Sequence, residues 1–153
     1  MRICERSGLG ALLVALAVLA GPAATSPVLA FDGRPTDARS PLDAFRAGAR
    51  ALRDGRAEEA VTALQYAASN GHLASAWRLG RMYMDGQGVA RSDLKAFETF
   101  RRITMERGDE NPSSPDARFV ASAFVALGNY FVEGIPNTYV RANPQRAFEL
   151  YFY

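Results

Sequence analysis

Two stretches of the chain repeat one another. Leu79-Gly80-Arg81-Met82-Tyr83-Met84-Asp85-Gly86 stands 48 positions before Leu127-Gly128-Asn129-Tyr130-Phe131-Val132-Glu133-Gly134, and Ala96-Phe97-Glu98 stands 51 positions before Ala147-Phe148-Glu149. The drift of three places an insertion in the second loop. A weaker copy lies upstream: Ala44, Phe45 and Gly48 precede Ala76, Trp77 and Gly80 by 32, and Gly55 precedes Gly86 by 31. Its second half, residues 57–71, carries Ala60, Leu64 and Ala67 at helical spacing. A period of this size marks a solenoid, in which short helix pairs stack because no single pair buries its own apolar face. The expectation is an all-α fold, an α/α solenoid of right-handed stacked antiparallel pairs, built for binding rather than chemistry.

The middle copy, Ala76-x-x-Leu79-Gly80-x-Met82-Tyr83-x-x-Gly86-x-Gly88-Val89-x-x-x-Asp93-x-x-Ala96, resembles the Sel1-like variant of the tetratricopeptide repeat. In the third copy, Gly134-Ile135-Pro136-Asn137 replaces the Gly-x-Gly-Val turn and residues 138–143 lengthen the loop. Packing gives the same positions their roles. Ala76, Gly80, Ala96 and their counterparts Gly128 and Ala147 are small where paired helices approach closely. Leu79, Tyr83, Phe97 and Leu127 supply the bulk opposite. Gly86 and Gly88 flank a turn in which at least one residue needs positive φ.

The ends carry their own signals. Arg2 and Arg6 precede a 12-residue apolar run at 9–20, and Val28-Leu29-Ala30 offers small residues to a signal peptidase. Residues 1–30 therefore read as a cleavable secretory signal, too short in its apolar run for a membrane span. Residues 31–40 read as a flexible leader and 41–153 as the repeat domain. Cys4 falls in the signal, so the mature chain holds no cysteine, as suits an oxidising compartment without disulfides. Removing the signal takes 18 basic and 16 acidic residues to 16 and 15. That near-balance argues against a general nucleic-acid or membrane-surface binder. Leu150-Tyr151-Phe152-Tyr153 is an unusually apolar finish for a solenoid, whose last helix is ordinarily polar outside. A natural continuation into further repeats is expected.

Capping signals divide the repeat domain into helices. Ser40-Pro41 starts one that Gly55 stops; the next runs 57–69 and ends at Asn70-Gly71. Residues 72–84 form the third, Ser92 caps a fourth that closes at Gly108, Ser114-Pro115-Asp116 reads as the start of a fifth, and Asn143-Pro144 as the cap and first position of a sixth. Between the fourth and fifth, residues 109–115 form an inserted polar loop, read first as a solvated connector and second as an exposed hinge.

No catalytic or cofactor constellation emerges. His72 is the one histidine, too few ligands for zinc. No serine sits in a Gly-x-Ser-x-Gly turn, and Gly86-Gln87-Gly88 lacks the third glycine and the preceding strand of a nucleotide fingerprint. Glu58-Glu59 and Asp109-Glu110 are acidic pairs, but acids at a helix start ordinarily complement its dipole. No enzyme activity, cofactor or metal is expected. Aromatics at helical spacing, Phe45, Tyr66, Trp77, Tyr83, Phe97, Phe100, Phe119, Phe124, Tyr130, Phe131 and Phe148, are assigned to the core. Tyr139 is either an exposed contact or part of a loop tucked against helix ends. Arg46, Arg50 and Arg53 fall at i, i+4 and i+7 on the first helix of repeat one, and Arg78 and Arg81 on the matching helix of repeat two. They form either a plain solvated face or a partner site receiving acidic groups on the concave side.

A second resemblance covers nearly the whole mature chain. The signal ending before Phe31-Asp32-Gly33, the segment at 57–68 and the segment Phe124-Val125-Ala126-Leu127-Gly128-Asn129-Tyr130-Phe131-Val132-Glu133-Gly134-Ile135-Pro136-Asn137 are similar to the ExoR-type periplasmic regulators of exopolysaccharide production in rhizobia. That resemblance implies a periplasmic negative regulator. Its implied partner is the periplasmic domain of a two-component sensor histidine kinase, held inactive until the regulator is degraded. The alternatives are a general envelope scaffold or assembly/secretion factor, and an envelope hydrolase using a carboxylate pair that includes Glu58.

Overall fold

The first helix of the chain owes its start to one side chain: Ser40 Oγ accepts the Asp43 N–H at 3.1 Å, with Pro41 at the first helical position. In this computed structural model, which describes residues 40–152, it opens a run of six helices with no strand among the described residues. The expected signal, the rest of the leader and Tyr153 lie outside them. The helices are α1 (Pro41–Arg53), α2 (Ala57–Ser69), α3 (Leu73–Asp85), α4 (Asp93–Arg107), α5 (Ala117–Glu133) and α6 (Pro144–Tyr151). Ser92 Oγ caps α4 by accepting the Lys95 N–H, and Asn143 Oδ1 caps α6 by accepting the Arg146 N–H at 2.9 Å.

Two starts differ from the sequence reading. His72 is the cap of α3 rather than its first residue, its Nδ1 accepting the Ser75 N–H at 3.3 Å. Helix α5 begins at Ala117, because Ser114 is occupied in a tight turn: its Oγ accepts the Asp116 N–H at 3.0 Å and its carbonyl the Ala117 N–H at 3.1 Å. Asp116 then stands at the cap position with helical backbone angles and makes no side-chain cap bond.

Each helix packs on the next in chain order, and α3 also meets α5. The same device closes all three pairs. Gly48, Gly80 and Gly128 occupy one register of the first helices, and each leaves a hollow filled from the second helix, by Leu64, Phe100 and Tyr151 respectively. A Cβ on Gly80 would stand 2.7 Å from Phe100 Cε1. Ala76, Leu79, Ala96, Leu127 and Ala147 are buried around these hollows, and Tyr83 is half-buried with the Lys95 ammonium 5.5 Å from its ring centroid.

The loops carry the next level of packing. Gly86 and Gly88 both take positive φ, 69° and 76°, and the turn seats Gly88 against α2, where an added Cβ would lie 2.5 Å from that of Ala57. In the third copy the lengthened loop closes on itself. The Ile135 N–H donates to the Val140 carbonyl at 2.9 Å, and both side chains are buried. Gly134 still turns the chain, with the Ala142 backbone so close that a Cβ would meet its nitrogen at 2.8 Å.

Helix α5 and this loop cover α4. The Phe97 ring receives Tyr130, Phe131 and Tyr139 edge-on at 6.1, 5.5 and 6.2 Å. Tyr130 also donates to Asp93 at 3.4 Å, and burial together with that carboxylate pushes its hydroxyl up to about 12. Tyr139 is 59% exposed, yet its ring lies on Phe97 and its hydroxyl donates to Glu98 at 3.3 Å, so the loop is tucked rather than free. Phe148 corrects the assignment of all repeat aromatics to the core. It is the counterpart of Phe97 but 63% exposed, because no described element lies over it, and it packs beside Phe152 at 4.5 Å.

Candidate functional site

The five arginines singled out by spacing lie on α1 and α3, the first helices of the first two pairs. All are exposed. Asp43 holds Arg46 at 3.7 Å, and Asp85 holds Arg81 at 3.1 Å. Arg50, Arg53 and Arg78 carry no carboxylate partner among the described residues. Arg50 stands at the register where repeat two places Met82, which is 1% exposed and packs against Leu64 of the preceding pair. The first pair has no described pair before it, and there the same position is an exposed arginine.

A more organised array lies where α3 meets α5. The Trp77 Nε1–H donates to Ser122 Oγ at 3.0 Å, and its ring lies 5.5 Å from that of Phe119. The Arg81 guanidinium sits over the outer side of Trp77 at 5.9 Å, and that of Arg118 over Phe119 at 4.7 Å. Four side chains thus form a row, Arg81–Trp77–Phe119–Arg118, with a cation over each of two aromatic rings that are tilted 51° to one another. Arg118 has no carboxylate partner among the described residues, whereas Arg81 shares Asp85. Neither Trp77 nor Phe119 is fully buried, so the platform faces solvent in part.

Two open grooves border the row. One, of about 440 Å³, takes Arg81 and Met84 from α3, Val125, Asn129 and Val132 from α5, and Tyr151 from α6. Val125 and Val132 are 48% and 49% exposed there, and Tyr151 donates its hydroxyl to Asn129 at 2.7 Å. The other, about 650 Å³, runs between the 109–115 loop and α5, with Pro112 and Pro115 on one wall and Val120, Phe124 and Arg118 on the other. The inserted loop is thus one wall of a cleft.

Sequence reasoning placed Trp77 and Phe119 in the core and passed over Arg118 and Ser122. The signal available was the single tryptophan with an arginine four residues on. Its pairing with Phe119, across 42 residues, exists only once α3 and α5 are side by side.

The other candidate groups are placed plainly. Glu59 pairs with Arg56, Glu110 with Arg107 at 3.4 Å, and Glu58 is exposed at the start of α2. Among the described residues no three His, Cys, Asp or Glu side chains are grouped to hold a metal ion. No described helix is long and apolar enough to cross a membrane. His72 lies 4.7 Å from the Phe45 ring with its Nδ1 2.9 Å from Ser75 Oγ, and burial lowers its pKa against a smaller raising effect of Asp116.

No family model matches the chain, and no solved structure matches it significantly. Two curated relatives do. The chain is 38% identical over 154 residues to the exopolysaccharide production negative regulator of Rhizobium meliloti (strain 1021), an alignment covering 99% of this chain and 57% of the relative. It is 38% identical over 143 residues to the protein of the same description from Rhizobium leguminosarum bv. viciae, covering 92% of this chain and 53% of the relative. The chain spans little more than half the length of these homologues.

Proposed function

We propose that this chain is a periplasmic, non-enzymatic Sel1-like repeat module that restrains exopolysaccharide production by binding the periplasmic domain of a sensor histidine kinase and holding the kinase inactive. The observation that carries this reading is the identity, running nearly end to end, with two regulators of exopolysaccharide production. The helical architecture fits it, since stacked pairs present side chains from several first helices on one extended surface. The exposed arginines Arg46, Arg50, Arg53, Arg78 and Arg81 belong to those helices, and guanidinium groups suit bidentate pairing with a partner's carboxylates.

The test is crosslinking in intact cells with mass-spectrometric identification of the partner, beside an exopolysaccharide assay in a deletion strain. Recovery of one kinase's periplasmic domain, with raised polysaccharide on deletion, is the expected result. Recovery of many unrelated envelope proteins with unchanged polysaccharide would replace this reading with a general scaffold or assembly factor. Arg46→Glu with Arg50→Glu is expected to weaken capture while leaving helicity intact.

A further inference from the structure

We infer that the Arg81–Trp77–Phe119–Arg118 row, with the groove along α5 beside it, is a docking platform for an acidic amphipathic helix of a protein partner. This rests on the binding-module reading and names the chemistry of what the face takes. Tryptophan and arginine dominate binding hot spots because each offers a large contact area with a fixed polar handle. Here both are preorganised. The indole is tethered to Ser122 at 3.0 Å, and the Arg81 and Arg118 guanidinium carbons lie over the Trp77 and Phe119 rings at 5.9 and 4.7 Å from their centroids. Side chains already held in place lose little rotamer freedom on binding.

The charge pattern selects the ligand. Arg118 lacks a carboxylate partner among the described residues, so its donors remain free for an incoming acid. Among the described residues the one carboxylate bound to the row is Asp85, on Arg81, and Glu133 marks the far end of the α5 groove, so the acidic groups of the ligand belong at the Arg118 end. Beyond the cations, Val125 and Val132 lie seven residues apart on α5, two helical turns, with about half of each side chain exposed. A helix laid along α5 meets them with apolar residues at the same interval while its flanking Asp or Glu reaches Arg118, seven residues before Val125 on the same helix face. This is the helix-in-groove mode with a basic rim. A basic or uncharged helix would leave the free Arg118 guanidinium unpaired and is disfavoured.

The experiment uses the full chain. A randomised peptide library is displayed and panned against it, and tryptophan-free winners are titrated with the emission of Trp77, the only tryptophan present, as the readout. The expected winners carry Asp or Glu around aliphatic residues at helical spacing, shift Trp77 emission, and bind more weakly as salt is added. Arg118→Glu is expected to weaken them by about tenfold or more, Arg118→Gln by less, and Arg102→Glu on α4 not at all. Melting curves of these exposed-site variants verify folding. Failure to select any peptide, winners without acidic residues, or equal binding by Arg118→Glu and Arg102→Glu would each overturn the platform. The two readings fail separately. Kinase capture undiminished by Arg118→Glu removes the platform and leaves the regulator reading; acidic peptides bound at Trp77 without kinase capture do the reverse.

Discussion

Phe100 occupies the space in which Gly80 would carry a β-carbon, its Cε1 and Cζ 2.7 and 2.8 Å from that point. Gly128 and Tyr151 repeat the arrangement one pair later. The environments differ in one respect: Phe100 is completely buried, whereas Tyr151 is 43% exposed. Gly80→Ala is therefore expected to destabilise by about 1–3 kcal/mol through overpacking. At Gly128 the ring can swing outward, and the helix-propensity gain of about 1 kcal/mol offsets the strain, so Gly128→Ala is expected to be near neutral. Chemical denaturation of both variants measures the contrast, and equal losses would contradict it.

Phe97 joins the second pair to the third, enclosed by three aromatic rings. Phe97→Ala is expected to cost about 3–5 kcal/mol. The same change at its exposed counterpart Phe148 should cost well under half of that, as read by thermal melts of the two variants.

The cap of α3 makes stability depend on pH. Nδ1 of His72 accepts a backbone N–H only when unprotonated, and burial lowers the pKa below its ordinary 6.5. The unfolded chain therefore binds the proton more readily than the folded one. The histidine's contribution is fully present above about 6.5 and is lost as pH falls through the lower folded value. His72→Asn keeps a capping acceptor that does not titrate. It is expected to flatten the fall in melting temperature over this window, with the remaining slope due to carboxylates.

Trp77 and Ser122 link α3 to α5 through one hydrogen bond of 3.0 Å. Ser122→Ala and Trp77→Phe are each expected to lose about 1 kcal/mol from that bond, and the double variant no more than either single change plus the indole's packing. A double-mutant cycle giving zero coupling would show that the bond does not hold the two helices together.

The repeat and its capping residues made much of this architecture legible in advance. Ser40-Pro41, Ser92 and Asn143-Pro144 act through their own neighbours, so α1, α4 and α6 begin where the sequence places them. Gly80 was legible as a close-approach position, though not that Phe100 fills it. The start of α5 was misread because Ser114 serves a turn as readily as a helix cap. The aromatic platform was hidden for a different reason. Helical spacing distinguishes an inner face from an outer one, but Trp77 and Phe119 are half-covered by each other across a helix boundary. The α1 arginines show a further limit: Arg50 is exposed at the register where the next repeat places the buried Met82, a difference set by which helix pair lies beside each position.

Because each helix packs chiefly on its neighbours in the chain, the contacts that stabilise the protein are local ones. Closure of a short loop precedes each gain in buried surface, so little chain entropy is lost before the reward arrives. The polypeptide can consolidate pair by pair, each pair forming before the chain beyond it has packed. By the same logic, an unravelling that begins at α6 can stop at α4.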